Sequence, residues 1–377
     1  MKTLFFLFVL MLPWMTGANA QACLPEGITF TIQEQIDHFQ ANYPGCSEIE
    51  GNVTISGNDI INLTGLNGLT TIGGNLGIEG NDALTSLSGL HYVTSIAGDL
   101  LISSNYVLDN INGLENVNSI GGNLGFNWNA ALSGLSGLEN LTSIGGYLAI
   151  QNNDALTSLS GLDNLFTIGD FFSIADNSNL TCLSGLVNLS SIGEGLFINW
   201  NAALTSLSGL NNLTSIGGYL YIYWNSVLTS LSGLGNIDAS SILDLSIYNN
   251  ASLSTCEVQS ICDYLSSPNG TVGISNNAPG CNSPEEVEAA CDEVSIESIG
   301  FEDDYLLFPN PAGKTVTISG NNATAIREIV IYNQTGQKVL QGKPVTSTLD
   351  ISKLHPGMYI VELVPDQGKV RKKLMVE

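Results

Sequence analysis

The sequence predicts an all-β protein: a parallel β-solenoid of 24-residue coils closed by disulfide-bonded caps, followed by a small C-terminal Ig-like β-sandwich. Three observations lead there. A leucine-rich segment returns at fixed spacing through the middle of the chain, cysteines cluster on either side of it, and charge is partitioned between this region and the C-terminus.

The spacing is the strongest of the three, because a period of 20–50 residues marks a repeat architecture. Related segments occupy 60–66, 84–90, 108–114, 132–138, 156–162, 180–186, 204–210 and 228–234, each starting 24 residues after the last. One extra residue enters at 238–243, so the next start falls at Leu253. Two periodicities coexist in a coil. Tyr219-Leu220-Tyr221-Ile222-Tyr223 alternates, which predicts a half-buried strand with Leu220 and Ile222 inward and the tyrosines outward. Leu204, Leu207, Leu210, Leu213 and Ile216 recur every third residue, with Thr, Ser, Gly and Asn between them. Those fillers are poor helix formers, so this part reads as short extended pieces joined by turns. Gly-Gly makes the corner before the strand. One coil cannot bury its aliphatics alone, whereas stacked coils share backbone hydrogen bonds and a continuous core.

Charge separates the solenoid from the tail. The 377 residues carry 10 Lys+Arg against 35 Asp+Glu, a formal net charge of −25. Apart from Lys2, every basic residue lies from Lys314 onward. Residues 21–300 hold 27 acidic and no basic side chains, and 301–377 hold nine basic and eight acidic. So sharp a change predicts two domains. A stretch without Lys or Arg from 3 to 313 offers no phosphate contacts, which excludes nucleic acid and a polybasic membrane surface as partners.

The chain opens with Lys2, an apolar run from Leu4 to Leu12 and Ala18-Asn19-Ala20. A basic residue, a run too short to span a bilayer and an A-x-A site predict a secretory signal peptide over 1–20. No later segment has the length and apolarity of a transmembrane helix. Export permits disulfides. Cys23 and Cys46 bracket a short helix expected within 29–43 and are predicted to pair. Cys256, Cys262, Cys281 and Cys291 are predicted to form two bridges in any of three connectivities, with Cys182 left over. The four-cysteine group lacks a C-x2-C pair, which argues against zinc. The expected organisation is an N-terminal cap over 21–50, repeats over 51–254, a cysteine-rich cap over 255–293, a linker over 294–304 and the second domain over 305–377.

Two columns run through the repeats. The first is Asn58, Asn81, Asn105, Asn129, Asn153, Asn177, Asn201, Asn225 and Asn250, directly after the inward strand residues. Asn tolerates tight turns and can satisfy buried backbone groups, so it reads as a structural ladder. The sequons at Asn140, Asn188 and Asn212 arise from the repeat itself. The second column precedes the first and holds Trp128, Trp200 and Trp224, every tryptophan after the leader. Nearby outward positions add Phe171, Phe197, Tyr219, Tyr221, Tyr223 and Tyr248. An uncharged aromatic strip suits stacking on sugar rings or an apolar partner. The candidate ligand face is Trp128, Phe197, Trp200, Tyr219, Tyr221, Tyr223, Trp224 and Tyr248. The opposing expectation is a structural coat or spacer in which these rings stack between coils.

The pattern G-G-x-L-x-I-x-x-N over about 51–254 resembles the receptor L-domain family. That resemblance implies a right-handed β-helix that binds or supports without catalysis. The absence of helical sequence argues against a leucine-rich horseshoe. The end of the chain carries a second resemblance. After strand candidates at 315–319, 328–332, 337–340, 347–351, 357–364 and 370–376, the landmarks are Pro309-Asn310-Pro311, Gly336, Gly357, Tyr359, Lys372 and Lys373. In this order they are similar to the type A C-terminal sorting domain of the type IX secretion system. The resemblance implies recognition by that machinery, cleavage in the linker, and release or attachment at the outer-membrane surface of a Gram-negative bacterium. Catalytic sets are missing: only His38 and His91 occur before the tail, and G-x-S-x-G, H-E-x-x-H and Walker patterns are absent. The expectation is a non-enzymatic surface or secreted binding solenoid without a cofactor, whose ligand is a polysaccharide or a surface protein.

Overall fold

The computed structural model describes residues 21–296, 305–310, 312–320, 326–333, 337–342, 348–364 and 370–376. The expected leader at 1–20, most of the expected linker, Pro311 and Gly336 lie outside them. The chain divides after Glu288 into two compact units.

The first unit is a solenoid built on two all-parallel sheets. The broad sheet has 11 strands, from Ile28–Phe30 through Leu148–Gln151 and Tyr219–Tyr223 to Val272–Ser275. The narrow sheet has nine, from Gln21–Cys23 through two-residue strands such as Ser143–Ile144 to Ser215–Ile216. Each coil up to Tyr223 gives one strand to each sheet, the last coil gives Asp244–Tyr248 to the broad sheet alone, and pairing is in register from coil to coil. Leu124, Leu148, Phe172, Leu196, Leu220 and Leu245 form one fully buried inward row. The narrow sheet was not foreseen, because a Ser-Ile or Thr-Ile pair is too short to show alternation. The third side has no strands in the repeats and buries leucines every third residue, as at Leu132, Leu135, Leu138 and Leu141.

The Gly-Gly corner is forced by how closely coils approach. A Cβ on Gly169 would lie 1.9 Å from the carbonyl oxygen of Gly145, and one on Gly193 would lie 1.7 Å from that of Gly169. Backbone packs directly on backbone at these glycines, leaving no room for a side chain, and from Gly73 to Gly217 the column departs from glycine only at Ala97.

The asparagine column is a continuous buried ladder. Each backbone N–H and Nδ2 donates to Oδ1 of the next Asn, as Asn105 does to Asn129 at 3.1 and 3.2 Å. Nδ2 also donates to a strand carbonyl of the preceding coil, from Asn105 to Ile78 O at 2.9 Å. Asn58 does not belong to the ladder: it is exposed, and Gly57 holds that place by donating its N–H to Asn81 Oδ1 at 2.9 Å. The first coil is one residue short of the register that the later copies keep. At the other end the ladder runs further than the repeat, with Asn250 donating to Asn277 Oδ1 at 3.0 Å.

A second ladder lies on the leucine side. Asn116, Asn140, Asn164, Asn188, Asn212 and Asn236 each donate Nδ2 to a backbone carbonyl one coil back, for example Asn140 to Glu115 O at 2.6 Å. The amides of three sequons, at Asn140, Asn188 and Asn212, are thus engaged in holding coils together.

Both ends of the solenoid are capped. The expected helix near the N-terminus is two short helices, Gln33–Asp37 and Phe39–Asn42, preceded by the strand Ile28–Phe30. β-Branched Ile28 and Thr29 join the broad sheet instead of the helix. Phe30, Ile36 and Phe39 close the core there, and Cys23 is bonded to Cys46. At the far end, helix Gln259–Ser266 packs Ile261 and Tyr264 inward, and Cys256 is bonded to Cys281. Cys262 and Cys291 are also disulfide-bonded, and Cys182 is free. A last helix, Pro284–Ile296, runs past the expected end of the cap at 293.

The second unit is a two-sheet antiparallel sandwich. Tyr305–Phe308, Thr315–Gly320 and Thr348–Asp350 form one sheet. Lys338–Gly342, Glu328–Tyr332, Gly357–Val364 and Val370–Val376 form the other. Val316, Ile318, Ile329, Ile331, Val361, Leu363 and Leu374 fill the core between them. Tyr305–Phe308 is a strand that the sequence reading missed, because its apolar run of four gives no alternation.

Removing a rung strands several buried groups at once. Asn153→Ala deprives Asn129 of its acceptor and Phe126 O of its donor. It should lower unfolding stability by about 3 kcal/mol or more, read as the shift in an equilibrium urea transition followed by circular dichroism. Asn58→Ala, off the ladder, should move it by less than about 0.5 kcal/mol.

Candidate functional site

The residue before each ladder Asn turns the chain out of the broad sheet with positive φ. The values are 56° at Ser104, 61° at Trp128, 58° at Asn152, 55° at Asp176, 59° at Trp200, 60° at Trp224 and 58° at Asn249. Gly, Asn and Asp suit this left-handed conformation. A bulky side chain there costs about 1–2 kcal/mol, so tryptophan is the least suited of the residues found in this column. The three indoles are also among the most exposed apolar groups, at 55%, 49% and 45% for Trp128, Trp200 and Trp224.

The structure brings the other predicted aromatics onto the same outer face. Tyr219 is exposed, and Phe197, Tyr221, Tyr223 and Tyr248 are half-buried. Rings in successive coils meet face to face: Trp200 on Trp224 at 4.7 Å and 9°, and Tyr223 on Tyr248 at 4.9 Å and 7°. Tyr147, which the sequence reading left out, stacks on Phe171 at 4.8 Å. These separations equal about one coil spacing of ~4.8 Å, so the planes stand across the solenoid axis and the ring edges face outward. Phe197 bridges the groups edge-on, 6.0 Å from Phe171 and 5.4 Å from Tyr221. Trp128 stands apart, between Ser104 and Asn152 in its column.

Asp176 and two asparagines complete this face. Asp176 lies between Asn152 and Trp200 in the left-handed column, and partial burial, then the charge of Asp154, raise its pKa above the ordinary carboxylate value. Burial, then Asp244, likewise raises the Tyr221 hydroxyl, and burial, then Tyr248 and Asp176, raises that of Tyr223. Asn127 and Asn199 each bury a side-chain oxygen that has no hydrogen-bond partner. An unpaired buried acceptor of this kind costs about 1–3 kcal/mol. Each immediately precedes an exposed tryptophan in the motif Asn-Trp-Asn. That motif is visible in the sequence, but its strain and its orphaned oxygen exist only in the fold.

Other chemistry is sparse. Among the described residues no group of three His, Cys, Asp or Glu could hold a metal ion. Asp59 accepts from the Gln33 N–H at 3.3 Å and Asp154 from Ser178 Oγ at 2.8 Å, so these carboxylates tie neighbouring layers together. Half-buried Cys182 meets Ser184 Oγ at 3.1 Å; burial raises its pKa, and hydrogen bonds from Ser184 and Thr181 outweigh this and lower it. No helix among the described residues is long and apolar enough to cross a membrane.

In the sandwich, the sorting-motif residues hold the last strand. Asn310 Nδ2 donates to Lys373 O at 2.8 Å and its Oδ1 accepts from the Met375 N–H at 2.8 Å. Tyr359 donates its hydroxyl to His355 O at 2.9 Å. Gly357 has φ 151°, at the edge of the region that favours glycine. Pro309 and Lys373 are exposed and Lys372 is half-buried.

An exported repeat β-solenoid with a separate sorting sandwich is the class that these features define. Family comparison agrees: residues 306–377 match the secretion system C-terminal sorting domain, and residues 45–118 and 116–206 match the receptor L domain. No curated protein matches the chain at a significant level. The sorting domain marks the protein as cargo of the type IX secretion system, delivered to the cell surface or the extracellular space. Neither matched family is enzymatic.

Two outcomes follow. A chain ending before Tyr305 should accumulate inside the outer membrane instead of outside it, as read by fractionation and immunoblot. For Asp176, the raised pKa means the folded state favours the protonated acid, so its contribution to stability is present at low pH and lost as pH rises through the folded value. Asp176→Asn should therefore raise the melting temperature at neutral pH, and the part of the gain due to charge should vanish below the carboxylate range.

Proposed function

We propose that the solenoid is a non-enzymatic adhesion or binding module that takes a glycan on the aromatic face formed by Trp128, Phe197, Trp200, Tyr219, Tyr221, Tyr223, Trp224 and Tyr248. The observation that carries this reading is the left-handed backbone at three exposed tryptophans. Gly80, Asn152 and Asn249 occupy the same column without that strain, so the fold has no need of indole there. Strain kept at an exposed position is a mark of use. Uncharged rings beside carboxamides and a carboxylate offer what a pyranose needs: apolar contact, including the face of Trp200 turned away from Trp224, and acceptors for its hydroxyls. An apolar protein surface is a second possible ligand, and the rings then serve as anchors.

The rival reading is a coat or spacer protein without a ligand, and the Trp200–Trp224 stack favours it, since stacking between coils also stabilises a sheet. Trp128 separates the two because no coil neighbour in its column is aromatic. Trp128→Asn should raise stability by about 1 kcal/mol through relief of left-handed strain, measured by urea unfolding. A loss of stability would show that the ring serves the fold.

Function is tested by fluorescence titration of the chain from Gln21 onward, in which Trp128, Trp200 and Trp224 are the only tryptophans. Saturable change with one polysaccharide class is the expected result. A blue-shifted spectrum that no quencher or glycan alters would establish the coat reading.

A further inference from the structure

Two coils, and only two, carry the same unfavourable pair of features. Asn127-Trp128-Asn129 and Asn199-Trp200-Asn201 each join an orphaned buried carboxamide oxygen to an exposed left-handed tryptophan and then to a ladder rung. In the column of Asn127 and Asn199 the other coils have Glu79, Ser103, Gln151, Ala175, Tyr223 and Tyr248. Such a combination does not arise from the repeat, whose consensus avoids it. Trp128 and Trp200 are three 24-residue steps apart, and the sheet pairing between them is continuous and in register. The two indoles are therefore held about 14 Å apart along the solenoid axis by three coil spacings.

The span between them carries no tryptophan. Only Asn152 and Asp176 occupy the tryptophan column there. Beside it, Gly125, Ala149, Ser173 and Ala175 are small and buried, and Gln151 donates its Nε2 to Ser173 Oγ at 3.1 Å. Because Trp200 stacks on Trp224, its other face looks along the axis, over Asp176, towards Trp128. The region has no cation to meet an acidic group, since residues 3–313 contain neither Lys nor Arg, and Asp176 repels anions.

We propose that the two Asn-Trp-Asn coils are paired subsites that bind one uncharged polysaccharide chain at two points, with the polymer lying along the solenoid axis. This rests on the glycan reading given above and adds to it the class of glycan, its direction and its valence. Two sites on a rigid support convert the second contact into an intramolecular one, so a chain long enough to reach both gains affinity by 10²–10⁴ without any new contact. A short oligosaccharide fills the two sites independently.

Isothermal titration of the exported chain decides the matter, with trisaccharides of neutral β-glucan, xylan and mannan, the corresponding polymers, and alginate as the uronate control. The expected result is two trisaccharides per chain, one polymer segment per chain bound at least tenfold more tightly, and weaker binding of alginate. Trp128→Asn and Trp200→Asn should each remove one trisaccharide and abolish the gain with length. Asn already stands in this column at Asn152 and Asn249, so both variants keep a residue that the backbone accepts. One trisaccharide per chain, indifferent to Trp128→Asn, overturns the paired-site proposal and leaves the glycan reading standing. Tighter binding of alginate overturns the assignment to an uncharged ligand. Absence of binding by every glycan, or capture of a surface protein instead, overturns both readings.

Discussion

The structure depends on one constraint: each coil must satisfy its buried polar groups on the coils above and below. The parallel ladder does this for strand backbone, but every coil also turns a corner where backbone N–H and C=O groups are buried without strand partners. Asparagine answers that need because its side chain is both donor and acceptor. Asn129 accepts from Asn105 and donates to Ile102 O and to Asn153 Oδ1, so one residue type closes the same gap in each coil. From this follow the recurrence of asparagine in every coil from Asn81 to Asn250, kept even where the step lengthens to 25 residues, and the need for a final rung at Asn277.

That constraint leaves the outer faces free. The inner rows are fixed by packing, and the glycine corner is fixed by the approach of one backbone to the next. The outward positions of the broad sheet face no such demand, so Tyr147, Phe171, Phe197 and Tyr221 can vary with position along the axis. Aromatic content rises through the later coils, and the left-handed column departs from its preferred residues at Ser104 and at three tryptophans. The amide spine thus serves as a rigid rule on which side chains are set at multiples of one coil spacing. A binding face built this way is preorganised, because its spacing is a property of the sheet and not of loops.

The tail obeys a different logic. Its sandwich core is small, and Asn310 is a structural pin at the last strand, holding Lys373 and Met375 through two main-chain hydrogen bonds. Keeping all basic residues of the exported chain in this unit leaves the solenoid uniformly acidic, which favours solubility after export.

The amino-acid sequence by itself determined the solenoid, its period, the inward leucines, the cap cysteines, and the order of motifs in the tail, because a repeated pattern reports burial directly. It also placed the three tryptophans in one column. It did not determine that Asn58 falls outside the ladder, since a one-residue change of register is invisible until coils are stacked. The narrow sheet was hidden for a similar reason: two-residue strands gain their hydrogen bonds only from neighbours 24 residues away. Left-handed backbone at Trp128 and Trp200, the orphaned oxygens of Asn127 and Asn199, and the face-to-face packing of Trp200 on Trp224 were decided by tertiary structure alone. Conformation and burial at those positions are set by the coils on either side, and a linear pattern does not contain them.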